Sequence, residues 1–149
     1  MSVTSRQSWL LAGFVVTSVL FASACSLLPS DYHLSLTTDK TDYSTADQVS
    51  ITAKLVYTGA QASIRKSSLK PGPVVIGIRQ LDGPFTLDPA WLLQCMQLDL
   101  QRGQAMEVPY TTVLPPGHFL VYAQLDIGPN GENCQNEVTA QASREITVH

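Results

Sequence analysis

The chain has 149 residues, with nine Lys and Arg against twelve Asp and Glu for a formal net charge of −3. Hydrophobic residues make up 44% and charged residues 14%, the balance of one ordinary globular domain. That composition suggests no basic patch of the size a polyanion requires, so no nucleic-acid partner is expected.

The chain opens with the polar segment MSVTSRQS, whose one basic residue is Arg6, and continues into the apolar run Trp9 to Ala24, WLLAGFVVTSVLFASA. A basic start, an apolar middle and a small-residue end are the layout of a secretory signal peptide. The run of 16 residues is shorter than the roughly 20 that span a bilayer. No Lys or Arg cluster stops transfer before SDYHLSLTTDKTD, so a retained membrane helix is the weaker alternative. Ala22-Ser23-Ala24 before Cys25 resembles the lipobox of bacterial lipoproteins, with alanine at position 22 where leucine is usual. The resemblance implies cleavage before Cys25, removal of residues 1–24 as a signal peptide, and acylation of Cys25. Several acyl chains, each gaining about 0.8 kcal/mol per buried methylene, would then hold the protein on membrane lipid. Ser26 is not the aspartate associated with inner-membrane retention, so the outer membrane is the expected location. The alternative is an ordinary signal peptide cut after an Ala-x-Ala triplet, with Cys25 incidental.

Removing residues 1–24 leaves 125 residues and, because Arg6 goes with them, shifts the formal charge from −3 to −4. That length supports one hydrophobic core. With Cys25 lipidated, Cys95 and Cys134 remain as an even pair in an oxidising compartment and are expected to form a disulfide. Two unrelated thiols are the alternative.

Residues 25–31 read as a lipidated tether containing Pro29, and residues 32–149 as the folded domain. Tyr32, Leu34 and Leu36 alternate with polar neighbours, as do Val49, Ile51, Ala53, Leu55 and Tyr57, which predicts two strands with one face buried. GAQASIRKSSLKPG reads as a polar connecting loop, and its Arg65, Lys66 and Lys70 are candidate interaction residues. Solvated surface charge is the plainer reading of that stretch. Val74 to Leu81 is a third strand, fenced by Pro71-Gly72-Pro73 and Asp82-Gly83-Pro84. Pro89 to Cys95 reads as a turn or one helical turn leading into a strand at Met96, Leu98 and Leu100, with Trp91 inclined to the core. Arg102-Gly103 turns the chain into Met106, Val108 and Tyr110, where Pro109 suits an edge strand. Pro115-Pro116-Gly117 then leads into a long strand with Phe119, Val121, Ala123 and Leu125 on one face. A loop at 127–137 holds Cys134 and the further candidate interaction residues Asn130 and Glu132, and a strand from Arg144 to His149 ends the chain. About seven strands with almost no helix predict an all-β fold, an immunoglobulin-like β-sandwich.

Two resemblances agree with that fold. TDKTDYSTADQVSITAKL, residues 38–55, is similar to the opening of macroglobulin-type and related bacterial immunoglobulin-like domains, and LPPGHFLVYAQL to their penultimate strand, including that of the intracellular proteinase inhibitor type. GPVVIGIRQLDGPFTLDPAWLL, residues 72–93, followed by a strand pair and LPPG, resembles the small outer-membrane lipoprotein of the type VI secretion membrane complex. That family implies a β-sandwich on a lipid anchor, without catalytic residues, docking an inner-membrane partner. This chain departs from it by an extra strand-like segment ahead of the match and by the expected disulfide.

Motifs that carry chemistry are few. His33, His118 and His149 stand at no metal-ligand spacing, so no metal and no cofactor are expected. GPNGEN lacks the flanking elements and the lysine of a phosphate loop, and there is no GxSxG elbow. Asp82, Asp88 and Asp99 could form an acidic patch, but aspartates beside Gly and Pro are ordinary turn residues. The expectation is a non-enzymatic lipoprotein that serves as a docking or structural component of a bacterial envelope protein complex, in a secretion system or elsewhere. The alternative is a ligand-binding or protease-inhibitor-like module that presents its loops, with Trp91 and Tyr57 as aromatic platforms for a carbohydrate.

Overall fold

The computed structural model describes residues 31–90, 92–129, 134 and 137–149, with the side chain of Leu93 left out. Ten strands follow in order: β1 (Tyr32–Thr38), β2 (Asp42–Tyr43), β3 (Val49–Tyr57), β4 (Ser63–Lys70), β5 (Val74–Gln80), β6 (Thr86–Leu87), β7 (Leu92–Gln101), β8 (Ala105–Thr112), β9 (Gly117–Ile127) and β10 (Val138–Val148). No helix occurs among the described residues, so Pro89 to Cys95 contributes no helical turn and β7 begins at Leu92. Seven of the strands are those expected, and β2, β4 and β6 are additional.

The alternating pattern of β3 decides the architecture. Val49, Ile51, Ala53, Leu55 and Tyr57 are all buried, and each large apolar side chain removed from water gains about 1.5–3 kcal/mol. A one-residue slip would turn that whole set to solvent, so the register with β1 and β8 is strongly specified. The resulting sheet has the order β1-β3-β8 and faces a second sheet of order β2-β10-β9-β5-β6. β1, β3 and β8 opposite β10, β9 and β5 match the A-B-E and G-F-C layers of an immunoglobulin-like sandwich. Pro109 lies on β8, which pairs with β3 alone among the described residues, so its missing N–H sits on an edge strand as expected.

The core has two ends. Near the start of β1, Tyr32, Leu34, Leu55, Tyr57, Leu125 and Ile127 pack together with Leu98 and Leu100 of β7. At the opposite end Tyr43, Ile51, Ile78, Leu114, Phe119 and Ile146 form a second cluster, and Leu36 and Ile76 touch both. Gly103, with φ of 77°, makes the β7–β8 turn in a backbone region that other residues enter only at a cost of roughly 1–2 kcal/mol.

The main departure from expectation is the segment 59–72. Its central part is β4, paired antiparallel with β7 in a separate two-stranded ribbon, so Arg65, Lys66 and Lys70 stand on a strand instead of a loop. The polar sequence hides the strand because two of its charges, Arg65 and Lys66, are paired across the ribbon and to the body. Its two fully buried residues are serines, and both hydroxyls are satisfied by the body of the sandwich. The Ser67 hydroxyl donates to the Pro129 carbonyl at 2.6 Å and the Ser68 hydroxyl to the Asp126 carbonyl at 3.2 Å. Ser67 and Gly128 also exchange backbone hydrogen bonds.

Asp126, which receives one of these bonds, has a carboxyl whose pKa is raised by burial. A carboxyl with a folded pKa above its unfolded value binds its proton more tightly when folded, so stability is greatest below the unfolded pKa and falls as pH rises through the folded one. Asp126→Asn is expected to remove that decline, so that urea midpoints of variant and wild type diverge with rising pH through this window. Parallel midpoint curves across it would contradict the assignment.

Candidate functional site

Two surface features are built by these elements. The first is a cleft of about 660 Å³ where the ribbon leaves the body, walled by Asp31 and Tyr32 at the entry to β1, Tyr57 at the end of β3, Ile64, Arg65 and Lys66 on β4, and Glu137 at the entry to β10. Tyr32 and Tyr57 stack at a tilt of 49° with ring centroids 5.6 Å apart, and are only 7% and 3% exposed. Burial, followed by the neighbouring Glu137, Tyr57 and Asp31, pushes the Tyr32 hydroxyl up to about 12. It therefore stays protonated at neutral pH and can donate.

The cleft's cations are held by partners. Lys66 Nζ meets Glu137 Oε2 at 2.7 Å with a side chain 21% exposed, tying the ribbon to β10. Arg65 grips Asp99 on β7 through Nε at 2.7 Å and Nη2 at 3.2 Å, a two-pronged contact that holds the Asp99 carboxyl below the usual range. Asp31 has no ion-pair or hydrogen-bond partner for its carboxylate among the described residues.

The second feature is an apolar groove of about 210 Å³ on the flank of the sandwich, between β5 and β8, lined by Pro71, Val74, Val75, Ile76, Ala90, Val108 and Tyr110. Beside the groove β6 pairs with β5 only through Ile78–Leu87 and Arg79–Thr86, and Val74, Val75 and Gly77 of β5 are themselves buried. The residues from Val74 to Gly77 pair on one side, with β9, and have no ladder partner on the other among the described residues.

Of the residues singled out in the sequence, Arg65 and Lys66 come together at the cleft, whereas Lys70 lies at the far end of β4 beside Pro71. Cys95 and Cys134 form a disulfide with Cα atoms 5.7 Å apart, which staples β7 to the β9–β10 connection. Cys25, Trp91, Asn130 and Glu132 lie outside the described residues. Tyr57, considered as an aromatic platform, is instead a core residue. Asp82 accepts the His118 backbone N–H, Asp88 lies beside Tyr122, and Asp99 pairs with Arg65, so the three do not form one patch. Among the described residues no group of three or more His, Cys, Asp or Glu is placed to hold a metal ion, and no helix is long and apolar enough to cross a membrane.

No family model matches the chain, and no curated protein sequence matches it. Among solved structures the chain is similar to a β-glucosidase from Erythrobacter marinus, at 13% identity and TM-score 0.48 over 79% of this chain and 15% of that one. It is similar to the sporulation control protein Spo0M of Bacillus subtilis at 14% identity and TM-score 0.48, over 80% of this chain and 49% of that one. A β-glucosidase from Kluyveromyces marxianus follows at 13% identity and TM-score 0.43, over 79% and 14% of the two chains. The chain thus spans about half of Spo0M and about a seventh of the two β-glucosidases.

Sequence reasoning missed Asp31, Tyr32 and Glu137 as cleft residues, since they meet Arg65 and Lys66 only once the ribbon is placed. The bounds of β5 left a clearer trace, since the breakers at 71–73 and 82–84 enclose it.

Proposed function

We propose that the protein is a non-catalytic docking component of a bacterial envelope complex, anchored in the outer membrane through acylated Cys25. The observation that supports this reading is the apolar groove between β5 and β8, whose lining has no charged residue. An extended partner segment laid over the groove gains by burying apolar side chains against Val108, Tyr110 and the half-buried Ile76. Burying a charge there would cost too much, so the fitting segment is extended and uncharged at its inward positions. The resemblance over residues 72–93 points to a secretion-system complex as the setting.

A module that binds a ligand or protease through its loops is less well supported. Arg65, Lys66 and Lys70 are fixed on a strand, and Tyr57 offers no exposed ring face to a sugar.

Cys25→Ala is expected to block processing to the mature size and to release the protein from the membrane fraction; unchanged attachment refutes the anchor. From membranes solubilised in mild detergent, the tagged wild type is expected to bring down an envelope protein in fixed stoichiometry. Val108→Glu, which puts a charge into the groove, is expected to lose that protein. Recovery of the wild type alone sinks the docking reading.

A further inference from the structure

The cleft at the entry to β1 retains binding capacity that the sandwich does not use. Arg65 commits Nε and Nη2 to Asp99, while Nη1 has no partner among the described residues and the side chain is 61% exposed. Asp31 brings an unpaired carboxylate to the same cleft, whereas Lys66 and Glu137 satisfy each other. One unused anionic acceptor and one unused cationic donor complement a molecule that carries an ammonium and a phosphate together.

The position of the cleft indicates where such a molecule would come from. Asp31 is six residues beyond Cys25, and six residues span at most about 20 Å when fully extended. An acylated Cys25 therefore keeps the cleft within reach of the lipid headgroups.

We infer that the cleft seats the phosphoethanolamine headgroup of a phospholipid in the membrane to which the protein is anchored, its ammonium on Asp31 and its phosphate on Arg65. For its lipid source the inference rests on the anchor reading above. A primary ammonium donates hydrogen bonds to a carboxylate, which a quaternary ammonium cannot do. A choline headgroup is bound by exposed aromatic faces, and the Tyr32 and Tyr57 rings are buried. The headgroup contact orients the sandwich on its anchor and fixes which way the groove between β5 and β8 faces.

The test uses residues 26–149, which contain every described member of both core clusters and lack the anchor; cooperative melting of this fragment is checked first. Sedimentation is compared on vesicles of phosphatidylcholine alone and of equal parts phosphatidylethanolamine and phosphatidylcholine. The expected result is an apparent affinity about fivefold higher for the ethanolamine-containing vesicles, the size of one exposed charge contact. Asp31→Asn and Arg65→Gln, checked for unchanged melting, are each expected to fall to the phosphatidylcholine level, and Arg144→Gln to bind as the wild type does. Equal binding to both vesicles overturns the inference, as does wild-type binding by Asp31→Asn, a variant with no structural partner to lose. The assay contains no Cys25, so it and the Cys25→Ala fractionation can fail independently.

Discussion

The double variant Cys95→Ser with Cys134→Ser is expected to lose about 4 kcal/mol of unfolding free energy, the chain-entropy value for a closed loop of this length. The two cysteines are 39 positions apart, and the loop between them contains β8 and β9. The bond also joins β7 to the β9–β10 connection, so its loss leaves the ribbon held by non-covalent contacts: the Lys66–Glu137 pair, the Ser67 and Ser68 bonds to the body, and the packing of Leu98 and Leu100. Those contacts persist only while the ribbon is docked, whereas the disulfide restricts the unfolded chain as well. Urea unfolding of the mature protein with and without reductant should reproduce the difference, and thiol labelling of the unreduced, denatured mature protein should find neither Cys95 nor Cys134 reactive. Equal urea midpoints for wild type and double variant would show that the staple contributes nothing.

Phe119→Ala is expected to cost about 3–5 kcal/mol, the range for removing a buried aromatic ring and leaving a cavity. Phe119 is 0% exposed and sits among Ile51, Ile78, Val121 and Ile146, with Phe85 edge-on at a centroid distance of 5.9 Å. Because β9 pairs with both β10 and β5, this ring lies at the centre of its sheet, where collapse of the surroundings is least able to fill the gap. Phe119→Leu should lose clearly less. A loss below about 1 kcal/mol for the alanine variant in urea unfolding would show that this end of the core repacks freely.

The contrast between β3 and β4 explains how much of the fold could be read in the sequence. In β3 every second residue is apolar and enters the core, so composition and structure report the same fact. In β4 the buried positions are Ser67 and Ser68, which are tolerated inside because their hydroxyls reach the carbonyls of Pro129 and Asp126. No local pattern announces that arrangement, since its partners lie about sixty positions away. The cleft was hidden for the same reason: Asp31, Arg65 and Glu137 are neighbours only across the ribbon and the sandwich. The cysteine pairing needed no such geometry, because setting Cys25 apart leaves only Cys95 and Cys134 to bond.

Pro109 carries a further consequence if, as proposed, the chain is fixed to a membrane through Cys25. Anchored molecules are confined to two dimensions, where their flanks meet at far higher local density than in solution. An unbroken eight-residue edge such as β8 would then template sheet growth from one molecule to the next. With Pro109 in the middle of that edge, neighbouring molecules lack a complete ladder along which to join. At that edge, crowding on a lipid surface would raise the rate of partner encounter without extending the sheet from molecule to molecule through β8.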